Sequence, residues 1–351
     1  MSLAVTVLKN SAVLLLFLLF ISCGTKNKEY ANNVFPYSQF PQEKELKGEV
    51  IELDTALFRY PFRIRIEGDK AIVLDLHGSD YYGHLFQYPS FRYLSSFGRR
   101  GDSPLEMLSM ENFRLHNHTL WTLDANKSEL TRLDFSSSGD SLLREETVAL
   151  DEDILRPLDF AIYNDTTFVI PDYSGESRFL KVDCKGKLIE KIGTIPTTNK
   201  KALQEARPAL AQAWRSFLDY NSHNSVLATV TQLGEVVEIY NLKDSTHVIR
   251  VGEYDEPEFK VSDGYGIPTG IMGFSDVQVT DDAIYAVFHG TSFKDIARQS
   301  GRLSDGGKYI YVFSLKGEPL CKYVLDHYIY GIWVDEVTKT IMATDVNNDQ
   351  P

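Results

Sequence analysis

Cysteine is nearly absent from this chain: its 351 residues hold three, Cys23, Cys184 and Cys321. That excludes a disulfide framework and a cysteine-rich metal site. Positive charge is also scarce, with 36 Lys and Arg against 49 Asp and Glu and a net charge of −13. Such a balance argues against nucleic-acid phosphates as a partner. Long amphipathic helical patterns are missing. So are the G-x-S-x-G elbow, the H-E-x-x-H pair and the phosphate-binding glycine loop, so no enzyme signature is encoded. The glycine-rich pieces "SDGGKY" and "SDGYGIP" lack the strand-to-helix context of a phosphate site and read as loops. What is present suits β-structure: 19 Tyr and 20 Phe in an aromatic content of 12%.

The one uninterrupted apolar run, residues 12–21, is too short for a membrane-spanning helix, which needs roughly 20 residues. It follows Lys9 and fits the apolar core of a secretory leader. Phe20-Ile21-Ser22-Cys23 then resembles the bacterial lipobox, in which a small residue precedes a cysteine that is lipidated and becomes the new N-terminus. The expected organisation is a leader over residues 1–22, lipid attachment at Cys23, a polar tether over 23–44 and a folded domain over 45–351. Membrane attachment through the lipidated cysteine follows. No acidic cluster succeeds Cys23, which favours a periplasm-facing outer-membrane anchor over surface display.

The folded region repeats itself. "FRIRIEGDKAIVLDLHG", "NFRLHNHTLWTLDAN", "DFAIYNDTTFVIPDY", "DVQVTDDAIYAVFHG" and "GIWVDEVTKTIMATD" each read as a strand, a polar turn and a second strand. "LDYNSHNSVLATVTQ" is a poorer copy. All but "GIWVDEVTKTIMATD" are followed by two more alternating strands. The residues ending the second strands, Asp75, Asp124, Asp172, Thr231, His289 and Asp345, recur at roughly 50–60-residue intervals, as propeller blades do. The spacing predicts an all-β, six-bladed β-propeller. The sixth blade runs out of sequence after two strands, so "LKGEVIEL", residues 46–53, is expected to pair there and close the ring. One departure, "NKKALQEARPALAQAWRSFLDY", carries Leu210, Trp214, Phe217 and Leu218 at helical spacing and predicts a helix inserted between blades three and four.

"FGRRGDSPLEM", residues 97–107, contains an Arg-Gly-Asp tripeptide of the kind that integrins bind. Its position gives it a different purpose, because it must carry the chain from the outer strand of blade one to the inner strand of blade two. Gly98 and Gly101 permit a sharp exit. Ser103, Pro104 and Glu106 have the form of a capping box for one helical turn. Gly98, Arg99, Gly101, Pro104 and Glu106 also resemble the G-R-x-G-x-G-P-x-E-F signature of the TolB-like six-bladed propeller lipoproteins of Bacteroidetes, with Ser103 in place of a Gly and Met107 in place of a Phe. The resemblance implies the same propeller over nearly the whole mature chain. It implies little about activity, since members of that family are mostly of unknown function.

In a propeller the second strands end on one face around the channel. Asp75 with His77, Asp124, Asp172, His289 and Asp345 are therefore candidate ligand-binding residues, and such a ring could hold a divalent cation, a sugar or a basic peptide. Asp at a hairpin corner is also favoured simply because it accepts turn amides. No other cofactor is implied. Two functions are compatible with this pattern. One is a binding module for a glycan, peptide or partner protein on the channel face. The other is a metal-dependent propeller hydrolase or lyase using the acid and His ring. The first is favoured. Cys184 and Cys321 fall in different blades and are expected to stay unpaired.

Overall fold

The computed structural model describes residues 33–53, 58–298 and 304–347. Within each blade the strands pair antiparallel in chain order from the inside out. Blade one comprises Pro61–Glu67, Lys70–Asp75, Tyr81–Gln87 and Arg92–Arg99. Blade two spans 110–149, blade three 161–192, blade four 216–251 and blade five 274–329. Among the described residues blade six has two strands, Ile332–Asp335 and Thr340–Ala343. The inner strands touch in cyclic order, each against that of the next blade, and the sixth returns to the first. The six-bladed propeller is thus the observed fold.

Alternation explains the layering. Second strands such as Lys70–Asp75 and Ala283–Phe288 read as near-continuous apolar runs, because both of their faces are covered by neighbouring blades. Ala71, Ile72, Val73 and Leu74 are all buried, whereas the outer strand Leu142–Ala149 is mostly exposed on alternate residues. Charged residues on the inner strands are used to stitch blades together. Asp276 of blade five accepts the Ile332 amide of blade six at 2.9 Å and pairs with Arg63 and Arg65 of blade one at 3.3 and 3.5 Å. Arg114 of blade two meets Asp159, which precedes the inner strand of blade three, at 2.7 Å, and that carboxylate accepts the Leu218 amide of blade four at 3.0 Å. Each acid ties three blades.

The N-terminal segment does not close the last blade. Val34–Pro36 adds in parallel to the outer strand of blade four, and Glu43–Leu46 adds in parallel to that of blade five. The expected tether over 23–44 therefore contains part of the folded domain. Residues 47–53 form no strand and pass beside blade six without a hydrogen-bond ladder. The reason is local: the Gly48 amide donates to the Asp326 carboxylate at 3.2 Å, and Gly48 lies so close to the His327 ring that a Cβ would overlap it. The chain is turned off the sheet edge at that point.

The inserted helix is two helices, Lys200–Glu205 and Arg207–Ala213, between blades three and four. Asn199 caps the first through the Ala202 amide at 3.0 Å, and Pro208 in the first turn of the second fits the break between them. Leu210 and Trp214 face the core as expected, but Phe217 and Leu218 belong to the inner strand of blade four. A hairpin of Phe259–Ser262 and Tyr265–Pro268 lies on the second helix, with the Gly266 amide donating to Gln212. Cys184 and Cys321 are both free.

Candidate functional site

Each marker residue stands at the end of its second strand or one or two residues past it, and most of their polar atoms are committed to backbone. The Asp75 carboxylate accepts the amides of Arg59 and Tyr60, both at 2.8 Å, and of His77 at 3.1 Å. Asp124 accepts those of Leu108, Asn126 and Lys127, and Asp172 those of Ser174 and Ser177. Asp345 accepts the Asn347 amide at 2.8 Å. His289 takes the Thr291 amide on Nδ1 and faces the Ser304 carbonyl with Nε2 at 3.0 Å, and burial pushes its imidazole pKa down. His77 is exposed, its ring stacked on Tyr60 at 4.7 Å. Among the described residues no three His, Cys, Asp or Glu side chains gather where one metal ion could bind them. The periodic acids hold the corners of the blades, and the turn-forming habit of Asp accounts for them.

The 97–107 segment is a pinned turn. Met107 donates its amide to the Arg99 carbonyl at 2.8 Å, the Gly101 amide returns to Met107, and the Glu106 amide closes on Ser103. Glu106 reaches back to the Ser103 amide at 3.3 Å, as a capping box requires, but no helix forms because the Met107 bridge ends the turn. Lys127 and Arg144 of blade two hold its carbonyls at 2.7 and 2.8 Å. The Arg of the Arg-Gly-Asp tripeptide is spent: the Arg100 guanidinium lies 3.6 Å from the Tyr82 ring centroid and donates to the Leu76 carbonyl.

Two of the concavities among the described residues are lined by charged and aromatic side chains on the faces of the ring. On the face of the first hairpins the channel mouth opens as a cavity of about 620 Å³ reached by Arg65, Arg114 and Asp219. Burial pushes the Asp219 carboxyl up, with Arg65 and Arg114 opposing it, and its carboxylate accepts the Val279 amide at 2.8 Å. The rim is self-paired, His116 with Asp165 at 2.8 Å and His223 with Asp281 at 3.1 Å.

The second concavity, about 420 Å³, lies on the marker face between blades four and five. Its floor is a run of rings: Phe288 stacks on Tyr311 at 4.8 Å, Phe40 tilts over Tyr311 at 4.7 Å, and Tyr37 meets Tyr311 edge-on at 6.4 Å. Tyr37 and Phe40 belong to the N-terminal strap, between its two added strands. Tyr254, Tyr309 and Tyr328 stand at the sides. Glu235 is buried at the base, where it accepts Tyr37 Oη and the Tyr254 amide, both at 3.0 Å. Burial pushes its carboxyl pKa up. The sequence analysis picked out only His289 of this cleft. The missed signals were "VFPYSQF", assigned to the tether, and the alternation of Tyr309, Tyr311 and Phe313 in "YIYVFSL".

A closed ring of six blades with a strapped edge and an aromatic cleft defines a six-bladed β-propeller. The profile of the TolB-like 6-blade propeller-like family matches residues 39–337, and the chain belongs to that family. Solved structures share the fold at low identity. A duf4221 family member from Bacteroides vulgatus ATCC 8482 is 11% identical with a TM-score of 0.52, covering 89% of this chain and 94% of that one. An auxiliary nutrient binding protein from Bacteroides ovatus ATCC 8483 is 10% identical with a TM-score of 0.52, covering 84% and 68%. A streptogramin B lyase is 12% identical with a TM-score of 0.50, covering 86% and 84%. No curated protein matches the chain.

Proposed function

We propose that the protein is a lipid-anchored binding module of the cell envelope, and that it takes its ligand in the cleft between blades four and five. The observation that carries this reading is the contrast on one face. The marker carboxylates accept turn amides, while the cleft beside them presents open aromatic rings among polar side chains. The leader-like run over 12–21 and the lipobox ending at Cys23, which lie outside the described residues, support export and an outer-membrane anchor facing the periplasm. Among the described residues no helix is long and apolar enough to cross a membrane. A nutrient-binding protein with the same fold is in keeping with a binding role.

A metal-dependent hydrolase or lyase at the marker ring is the weaker reading, because Asp75, Asp124 and Asp172 would have to release backbone amides to ligate an ion. A thermal-shift panel of oligosaccharides, peptides and divalent metal salts separates the two, since a ligand bound to the native state alone raises Tm. An organic ligand whose shift disappears in Tyr254→Ala supports the module. A metal-induced shift lost in Asp124→Asn contradicts it. The anchor is tested by labelling cells with a fatty-acid analogue, which should mark the wild type and not Cys23→Ala. Equal labelling of both would refute it.

A further inference from the structure

We infer that the ligand of the cleft is a neutral saccharide, stacked on Tyr254 and hydrogen-bonded through Tyr311, Glu253 and Lys308; this deepens the cleft reading and rests on it. The C–H faces of a pyranose ring pack on aromatic side chains, while its hydroxyls need donors and acceptors placed around those rings. The cleft supplies both. Tyr254 is 47% exposed, which leaves much of its surface open. Tyr311 is only 7% exposed, lines the cleft, and its hydroxyl has no hydrogen-bond partner among the described residues. Its oxygen is not sealed from solvent, so a bound sugar hydroxyl can take the place of water there. Its phenol is pushed further from ionisation by burial and by the nearby Glu235, so it remains a neutral O–H able to donate.

Charge decides between ligand classes. Glu43 and Lys322 form an ion pair at 3.1 Å, and Glu235 is occupied by Tyr37 and Tyr254. That leaves Glu253 and Lys308, one charge of each sign, neither of them ion-paired among the described residues. Such a balance favours a neutral ligand over an acidic or a basic one. A cation held by the rings is disfavoured further, because lysines already occupy that role: Lys322 Nζ lies 4.6 Å from the Tyr309 ring centroid and Lys308 Nζ 5.8 Å from that of Tyr328. A peptide adding as a strand has no edge here, since the strap covers the outer edges of blades four and five. The volume of about 420 Å³ falls within the range of small-ligand pockets.

The test is titration calorimetry of the full chain with neutral hexose and N-acetylhexosamine oligosaccharides, oligogalacturonate, and basic and acidic peptides. Variants are Tyr254→Ala, Tyr311→Phe and Glu253→Gln, with Val337→Ala on a distant exposed hairpin as control. A neutral oligosaccharide should bind, with affinity reduced about tenfold by Tyr254→Ala and severalfold by each of the others, the Tm without ligand being unchanged in Tyr311→Phe and Glu253→Gln. Oligogalacturonate or a peptide binding instead, with loss in Tyr254→Ala, overturns the neutral saccharide but leaves the cleft as the binding site. Saccharide binding that none of the three variants alters overturns the cleft itself. Binding of no oligosaccharide overturns the saccharide.

Discussion

Tyr37 Oη donates to the buried Glu235 carboxylate at 3.0 Å across 198 residues of sequence, joining the N-terminal strap to the seam between blades four and five. Tyr37→Phe keeps the ring packing and removes this donor, leaving Glu235 with the Tyr254 amide. The cost should be about 1–3 kcal/mol in denaturant unfolding. The same carboxylate has a folded-state pKa raised by burial. The native state therefore holds its proton more tightly than the unfolded chain does. Stability from this group is full below the ordinary Glu value and falls as pH rises through the raised one. Glu235→Gln should flatten that slope, and an unchanged pH profile would contradict the assignment.

Arg178 and Glu238 form an ion pair at 2.7 Å with side chains 3% and 1% exposed. Arg178→Ala strands the carboxylate and should cost about 3–5 kcal/mol. Burial pushes the Glu238 pKa up, but Arg178 and His247 outweigh it and the net shift is downward. Stability from this pair is thus present above the ordinary Glu value and lost as pH falls through the depressed one. Acid unfolding followed by far-UV circular dichroism should show Glu238→Gln less pH-sensitive than wild type across that range.

Truncation locates the strap. Removing residues 1–32 should leave Tm unchanged, whereas removing residues 1–46 strips the added strands from blades four and five and takes Tyr37 and Phe40 with them. Tm should then fall by several degrees or more, because the raw outer edges and the aromatic seam are both uncovered. Equal melting temperatures for the two truncations would show that the strap contributes nothing.

At the blade crossover, Asp102 is exposed, and Asp102→Glu should alter neither stability nor attachment to integrin-bearing cells. The Ser103 hydroxyl makes no hydrogen bond among the described residues, so Ser103→Ala should be close to neutral. Glu106→Ala loses the bond to the Ser103 amide and should cost on the order of 1 kcal/mol. Gly101→Ala should cost more, because its φ of +153° is joined to a Cβ position only 2.0 Å from the Glu106 carboxylate. Loss of cell attachment in Asp102→Glu with Tm intact would restore an adhesive role.

The propeller was legible because its evidence is periodic. Hairpin turns, alternating strands and a polar residue at each second-strand end, acidic in four of six blades, recur in register, and the ends of those strands fall close to where the spacing puts them. The strap was not legible, because parallel addition to a remote edge leaves no local pattern. "KGEVIEL" alternates better than the short strand Glu43–Leu46 that pairs, and what turns the chain aside is the contact of Gly48 with Asp326 and His327. Phe217 and Leu218 fit a helical spacing by coincidence of phase with a strand that begins at Ser216. The acids drew attention to one face, where their carboxylates accept turn amides. Their regularity reflects a repeated structural task, while the cleft arises once, from aromatic residues brought together from the strap and blades four and five.

The most direct measurement is a crystal structure of the full chain soaked with the tightest-binding neutral oligosaccharide of the panel. The account predicts density between blades four and five, with a sugar ring against Tyr254 and a hydroxyl within hydrogen-bond distance of Tyr311 Oη. Density in the channel mouth beside Asp219, or a cation held by the marker carboxylates in place of their turn amides, would contradict it.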